Sequence, residues 1–121
     1  MTIKRLGDPT EISDAVIYGS MVYLAGVVPE DPVPASVYEQ TKNVLKQIDE
    51  VLAQAGTDKT KLLKAQVFLA DIKTFDDMHR AWKEWVPKGH APARATVEAK
   101  LVHHPHWGVE IMCEAAISLG G

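Results

Sequence analysis

The sequence predicts an α+β fold, in which two amphipathic helices lie on one face of a β-sheet. Two segments repeat apolar residues at the three-to-four-residue spacing of a helix, and the runs around them are rich in valine, tyrosine and leucine. In chain order the predicted elements are strand, strand, helix, strand, helix, strand and strand, which is typical of an α+β sheet. At 121 residues the chain has the length of one domain, so we predict a single domain over residues 1–121.

The first two strands are predicted at Ala15–Tyr18 and at residues 21–28. The Gly-Ser pair at 19–20 between them is a two-residue hairpin signal. The proline-rich segment 29–34 that follows blocks both a helix and an inner strand. We therefore expect an antiparallel pair of strands, which a linker separates from the first helix.

The first helix is predicted over residues 37–55. Ser36 and Glu39 have the three-residue spacing of a capping box, and Gly56 is a typical residue just after a helix end. The apolar stripe of this helix consists of Val37, Val44, Leu45, Ile48, Val51, Leu52 and Ala55. A largely buried strand is predicted next, over residues 62–70.

The second helix is predicted to begin at Thr74 and to end before Pro87. Asp76 and Asp77 place negative charge in its first turn, where the helix dipole favours it. The apolar side of this helix consists of Phe75, Met78, Trp82 and Trp85. These aromatic side chains are therefore expected to pack in the core or at an interface.

The last third of the chain has two segments in which apolar and polar residues alternate, 94–101 and 109–117. Alternation predicts that Arg94 and Glu110 lie on the same sheet face, the one that points away from the helices. We expect the two strands to form a hairpin that turns at Pro105 and Gly108. In such a hairpin Arg94 and Glu110 are about six residues apart along the sheet, or roughly 20 Å.

The sheet face opposite the helices mixes apolar and charged side chains. Its predicted apolar members are Met21, Tyr23, Phe68, Met112 and Ala116. Because no third helix is predicted to cover these side chains, this face, which we call the open face, is a candidate oligomer interface.

Composition argues against several classes of protein. The 13 basic residues are scattered along a chain of net charge −3, which makes nucleic acid a poor candidate partner. No apolar run approaches the ~20 residues that cross a bilayer, and the first residues lack the apolar segment of a signal peptide. We therefore expect a cytoplasmic protein. Cys113 is the single cysteine; it is expected to be a buried small hydrophobe, because an intrachain disulfide needs two cysteines.

His103, His104 and His106 lie within four residues, which raises the question of a metal site. Imidazole suits zinc, copper and nickel, but a competent site needs three or four groups that converge on the ion. Adjacent residues of an extended segment point in opposite directions, and Pro105 stiffens the turn. We favour a turn with Trp107 packed at its edge over a metal site.

Two motifs near the C-terminal end resemble those of a known family. The residues 92–97, PARATV, followed after the histidine stretch by Val-Glu-Ile at 109–111, resemble the signature of the Rid (YjgF) family of reactive-intermediate imine deaminases. The match continues through Gly26, the turn at Pro29, the helix closed by Gly56 and the strand at 64–71. The segment 78–86, MHRAWKEWV, is similar to the YoaB-like branch of that family.

The resemblance implies a chorismate-mutase-like α+β fold that assembles as a homotrimer, with the sheets lining a central barrel and three clefts between the subunits. It also implies a hydrolase that converts 2-imino and 2-enamino acids, which pyridoxal-phosphate enzymes release, to 2-keto acids and ammonia. By this resemblance the protein is a 2-iminobutanoate/2-iminopropanoate-type deaminase. The family needs no cofactor for this reaction, so neither a cofactor nor a metal is expected.

Residue roles follow from the same resemblance. Arg94 corresponds to the arginine that holds the substrate carboxylate, and Glu110 corresponds to the glutamate that positions water for attack. Gly26 corresponds to a glycine whose backbone lines the pocket.

Four pocket positions differ from the best-known deaminases of the family. Ile12 and Ala25 stand where those enzymes have a tyrosine and a serine, and His79 and Thr96 stand where they have an asparagine and often a cysteine. Loss of two hydroxyl groups predicts a less polar pocket rim, while His79 adds a group that titrates near neutral pH. The substrate-binding residues are therefore predicted to be Gly26, Arg94, Thr96, His79, Ile12 and Ala25.

Other interpretations remain open. Without the resemblance, Arg94 is interpreted as a solvated strand charge paired with Glu98 or another acid, and His79 as a structural residue beside the apolar side of the second helix. At the level of function, the main alternative to the deaminase is a trimer that binds small carboxylates without turnover. An endoribonuclease is a weaker alternative, because the acidic chain shows no basic groove.

Overall fold

The computed structural model describes residues 1–102 and 104–118. Within these ranges the elements are β1 Ile3–Leu6, β2 Ala15–Tyr18, β3 Met21–Leu24, α1 Val37–Gln54, β4 Leu62–Leu69, α2 Phe75–Trp85, β5 Ala93–Glu98 and β6 Val109–Ala116. The strands form one mixed sheet in the order β1-β2-β3-β6-β4-β5. Both helices pack on one face of this sheet, which confirms the predicted α+β fold.

Helix α1 begins and ends close to the predicted residues. The Ser36 hydroxyl accepts a hydrogen bond from the Glu39 amide at 3.1 Å, which satisfies one of the free amides of the first turn. Gly56 follows the helix with a φ of +84°, a left-handed conformation that costs glycine no Cβ clash. Leu45 and Ile48 on the apolar stripe are fully buried, so the stripe forms one wall of the core.

The sequence pattern did not indicate strand β1. Ile3–Leu6 pairs antiparallel with β2, and three of its four side chains are exposed. A short strand at the edge of a sheet has little apolar surface to bury, so its sequence carries little of the alternation that marks a strand.

The predicted hairpin between the last two strands is wrong. Strand β5 pairs parallel with β4 at the sheet edge, while β6 lies between β3 and β4 and is antiparallel to both. The residues of β6 that face the helices, Val109, Ile111, Cys113 and Ala115, are at most 1% exposed. A strand buried in this way is a central strand, and hydrogen bonds on both of its edges satisfy its backbone.

The connection from β5 to β6 passes across the end of β4. The Ala99 amide donates a hydrogen bond to the Leu69 carbonyl oxygen at 2.9 Å, and the Ala70 amide donates one to the Gly108 carbonyl oxygen at 3.0 Å. The histidine stretch therefore belongs to a crossing loop, and it does not join two neighbouring strands.

The parallel pairing of β5 also reverses its predicted orientation. Arg94 lies in register with Ala65, and Thr96 lies in register with Val67; both β4 residues are buried under the helices. Partners in register point to the same side of a sheet, so Arg94 and Thr96 lie on the helix-covered side. The prediction that Arg94 lies on the open face is therefore wrong.

The apolar residues of β5 lie on the open face instead. Val97 is in register with Phe68, and its side chain is 43% exposed. Tyr23 and Met112 are each 44% exposed on their strands. The open face is thus more apolar than the sequence suggested. Among the described residues, neither helix combines the length and the hydropathy that crossing a bilayer requires.

Candidate functional site

Arg94 sits at the edge of the sheet against helix α2. One of its terminal nitrogens is 3.1 Å from Nδ1 of His79. The guanidinium carbon lies 5.0 Å from the ring centre of Trp82 and 5.7 Å from that of Phe75, distances at which an aromatic face attracts a cation. Partial burial lowers the pKa of Arg94, but a guanidinium keeps its charge at physiological pH.

The suggested ion pair between Arg94 and Glu98 does not form. Glu98 uses a carboxylate oxygen to accept a hydrogen bond from the Ile72 amide at 3.0 Å. Across residues 1–102 and 104–118, no carboxylate lies within ion-pair distance of Arg94. The guanidinium therefore keeps N–H groups available for an anion from outside the chain.

His79 is held between Arg94 and Phe75. Its ring stacks on the Phe75 ring with 5.2 Å between the centres and 16° between the planes. Burial of the imidazole, followed by the positive charges of Arg94 and Lys83, holds the pKa of His79 below its ordinary value near 6.5. The side chain is therefore neutral at physiological pH.

Thr96 follows Arg94 by two residues and points to the same side of the sheet. Its hydroxyl oxygen is buried and has no hydrogen-bond partner among the described residues. A buried hydroxyl without a partner costs free energy, on the order of 1–3 kcal/mol. Thr96 thus places an unused polar group on the same side of β5 as Arg94.

Glu110 lies on the open face of β6, where Phe68 is its cross-strand neighbour. A Cβ atom at Gly26 would come within 2.1 Å of its Oε2 atom, so the Glu110 side chain fills the space next to the Gly26 backbone. The adjoining Val27 amide donates a hydrogen bond to the Ile111 carbonyl oxygen at 2.8 Å, which fixes this segment against β6. In the part of the chain that the structure describes, the Glu110 carboxylate has no ion-pair or hydrogen-bond partner.

The two remaining predicted positions are Ala25, directly after β3, and Ile12, between β1 and β2. Both are on the part of the sheet that β6 and β4 separate from Arg94. The Ala25 amide donates to the Asp14 carbonyl oxygen at 3.0 Å, and Ala25 and Gly26 line a concave surface with residues of α1. Ile12 is 74% exposed, on the loop that joins β1 to β2. Its apolar side chain is therefore exposed to solvent in the single chain.

Within one chain, the predicted site residues therefore form two separate groups, one around Arg94 and one around Glu110. Counted through the register of β4, Arg94 lies at the same height along the strands as Cys113 of β6, and Glu110 lies at the same height as Val97 of β5. The two residues are three positions apart along the strands and two strands apart, or about 14 Å at ~3.3 Å per residue and ~4.8 Å per strand. Their side chains also leave opposite faces of the sheet. A small imino acid bound to one of them does not reach the other within the same chain.

The sequence did not reveal that Phe75 and Trp82, on the apolar side of helix α2, contact Arg94. The predicted hairpin placed Arg94 on the far side of the sheet from α2. The observed parallel pairing of β5 with β4 places its guanidinium against the apolar side of α2 instead. The signal available in the sequence was the aromatic content of this side of the helix, since aromatic faces attract cations.

The histidine stretch is held by a buried side chain of helix α1. The Gln40 side chain accepts a hydrogen bond from the Gly108 amide at 2.8 Å and donates one to the His106 carbonyl oxygen at 3.0 Å. His104 stacks on Trp107, with 5.8 Å between ring centres, and its Nε2 is 3.7 Å from Asp31. His103 lies outside the described residues.

Comparisons with known proteins cover almost the whole chain. Residues 2–117 match the family model described as Endoribonuclease L-PSP. A RutC family protein of Haemophilus influenzae is 47% identical over 112 residues, which are 93% of this chain and 96% of that protein. The RutC family protein YoaB of Escherichia coli is 45% identical over 117 residues, which are 97% and 100% of the two chains.

A solved structure and a more distant relative extend the comparison. The crystal structure of a YjgF family member from Neisseria meningitidis superimposes with a TM-score of 0.94 at 39% identity, over 99% of this chain and 98% of that chain. The human protein named 2-iminobutanoate/2-iminopropanoate deaminase is 34% identical over 102 residues, which are 80% of this chain and 74% of the human protein.

Proposed function

This chain belongs to the YjgF (Rid) family, and we propose that it is a hydrolytic deaminase that converts reactive 2-imino and 2-enamino acids to 2-keto acids and ammonia. The observation that carries this proposal is the Arg94 guanidinium, which lies over the rings of Phe75 and Trp82 without a carboxylate partner in the described chain. The deaminase name of the human relative supports the same reaction class.

Arg94 binds the substrate carboxylate. A planar guanidinium can donate two parallel hydrogen bonds to a carboxylate, which fixes the orientation of the neighbouring imine carbon. The Phe75 and Trp82 rings near the guanidinium and its partial burial lower the solvation of the pair, which strengthens the attraction between the two charges. The unpartnered Thr96 hydroxyl, two residues further along β5 on the same side of the sheet, is a second polar group that a bound substrate could use.

Glu110 activates the attacking water. A free carboxylate accepts a proton from water as the oxygen attacks the imine carbon, and it returns a proton to the departing nitrogen. General acid–base catalysis of this kind contributes about 10²–10⁴ in rate. The absence of a side chain at Gly26 leaves the Glu110 carboxylate room to lie against the backbone.

The complete site lies between two subunits. Arg94 and Glu110 of one chain are too far apart for one substrate, so Arg94 meets Glu110 of the partner subunit in a homotrimer. The apolar open face, where Tyr23 and Met112 are each 44% exposed, supplies the surface that assembly buries. The resemblance to the family, whose clefts lie between subunits, supports this arrangement.

The test is keto-acid release from imines that an amino-acid oxidase generates in situ. We expect the protein to accelerate release of the keto acid, and Arg94→Lys to abolish the acceleration because an ammonium gives only a point charge. Arg80→Lys is the matched control, because Arg80 also lies on α2 but packs over the Tyr38 ring of α1. Release at the uncatalysed rate in the presence of folded wild-type protein would exclude the deaminase.

A carboxylate-binding trimer without turnover is the second candidate. The observation that favours it is the set of pocket positions without the usual hydroxyl groups, in which Ala25 and the exposed Ile12 offer only apolar surface. Binding of 2-oxobutanoate measured by calorimetry separates the two candidates. Binding that depends on Arg94, with no acceleration of keto-acid release, would identify the binding protein.

A further inference from the structure

We infer that His79 is a positioning residue, which holds the Arg94 guanidinium ready for the substrate carboxylate and makes carboxylate binding depend on pH. This inference rests on the proposed role of Arg94. It concerns a residue that does not itself touch the reacting atoms. It gives a role to the histidine that stands where the best-known deaminases of the family have an asparagine.

The contact between the two side chains fixes the protonation state of the imidazole. A guanidinium has only donors, so the 3.1 Å contact with Nδ1 is a hydrogen bond only if that nitrogen carries a lone pair. His79 must then be neutral, with its proton on Nε2. A second proton, on Nδ1, would place two donors and two positive charges against each other.

The contact also determines which edge of the guanidinium stays free. One terminal nitrogen of Arg94 donates to His79, and the guanidinium carbon lies over the rings of Trp82 and Phe75. The ring of Phe75 in turn stacks on His79 and limits rotation of the imidazole. The remaining N–H groups therefore point in a fixed direction before a carboxylate arrives, and preorganisation of this kind lowers the entropy lost on binding.

The charged groups around His79 set the direction of the pH effect. Arg94 faces it from β5, while Lys83 and Asp76 approach it from its own helix. Burial and the two cations outweigh Asp76, so the pKa of His79 lies below its ordinary value. The neutral, accepting form is present above that pKa, and it is lost as the pH falls through it. Carboxylate binding is therefore expected to weaken on acidification.

The first test reads the tautomer directly. Nitrogen NMR of the full chain labelled with ¹⁵N-histidine, with the His79 signals identified by their absence in His79→Asn, should show a protonated Nε2 and a bare Nδ1 at pH 8. A proton on Nδ1 at this pH would overturn the inference. This measurement needs neither substrate nor turnover.

The second test measures the affinity for 2-oxobutanoate between pH 8 and pH 4.5. In the wild type we expect affinity to fall about tenfold on acidification, because one hydrogen bond to a charged group is lost. His79→Asn keeps an acceptor that does not titrate, so it should bind as the wild type does at pH 8 and show no fall. His79→Phe keeps the ring stack without an acceptor and should bind weakly throughout.

His90→Asn is the matched control, because His90 is exposed in the loop before β5, and this variant should keep the pH dependence of the wild type. Affinity that rises at low pH would mean that protonated His79 attracts the carboxylate itself, and it would overturn the inference. A pH dependence that survives in His79→Asn would do the same. If the tautomer and the binding results hold while no imine is hydrolysed, the deaminase fails and the positioning role stands.

Discussion

Arg94 and Glu110 leave opposite faces of one sheet, with strand β4 between the strands that carry them. The separation comes from the parallel pairing of β5, which turns Arg94 towards helix α2. A reaction that needs both groups must therefore take one of them from a second copy of the chain.

Mixed trimers test this division of the site. Arg94→Lys and Glu110→Gln should each be nearly inactive alone, since each lacks one essential group. Refolded together in equal amounts they should regain about a quarter of the wild-type sites, because a random interface pairs an intact arginine with an intact glutamate in ~1/2 × 1/2 of cases. Wild-type protein refolded in the same way sets the scale. Activity no higher than that of the separate variants would place both groups in one chain.

Gly26→Ala is expected to reduce activity much more than stability. The added Cβ would meet the end of the flexible Glu110 side chain, which can move aside, so we expect the free energy of unfolding to fall by less than about 1 kcal/mol. The displaced carboxylate would no longer lie at its proposed position for water activation, and keto-acid release should fall by about tenfold or more. Urea denaturation and the imine assay measure the two effects.

Gly108→Ala provides the contrast to this variant. Its Cβ would come within 2.8 Å of Val37 and 3.2 Å of the buried Gln40. These side chains have little room to shift, so we expect a loss of roughly 1–3 kcal/mol in the free energy of unfolding. Equal stability losses for the two glycine variants would contradict the stated geometry.

A charge on the open face should prevent assembly. Met112→Lys places an ammonium among apolar side chains that the proposed trimer buries, where an unpaired charge is strongly unfavourable. We expect a folded monomer in sedimentation velocity. Ile72→Lys is the matched control, because Ile72 has the same 44% exposure as Met112 but lies outside the sheet. A trimer that persists in Met112→Lys would place the interface elsewhere.

Cys113 should be inert in the folded protein. Burial raises the pKa of this thiol to about 12, so almost none of it is thiolate at pH 8, and the thiolate is the reactive form. Ellman's reagent should label it only after unfolding in urea. Native labelling at the rate of the unfolded chain would show that this part of β6 opens readily.

The sequence was sufficient to locate the helices and the central strands along the chain, because their apolar residues repeat at spacings that distinguish a helix from a strand, although the strand predicted over residues 21–28 ends at Leu24. It was insufficient for β5. Alternation in residues 93–98 defines two faces, but at a half-exposed edge it does not say which face meets the helices, and parallel pairing leaves no turn signal. Strand β1 is too short and too exposed for its sequence to show a clear alternation.

The same limit applies to the site. Arg94 and Glu110 were identified through a family resemblance, which names residues without giving their orientation. The contact between Arg94 and His79 depends on the pairing of β5 with β4, a contact between distant parts of the chain. No local pattern encodes it.

The place of each strand in the sheet also gives the two halves of the site unequal local stability. Glu110 stands on β6, whose amides are hydrogen-bonded to strands on both sides, whereas Arg94 stands on β5, which is bonded to β4 alone. Segments with fewer such bonds open at lower free energy. Amide hydrogens of β5 should thus exchange with solvent ahead of those of β6. In the proposed cleft, the wall that carries Glu110 is therefore the more rigid one, and the wall that carries Arg94, where the substrate carboxylate is proposed to bind, opens more easily.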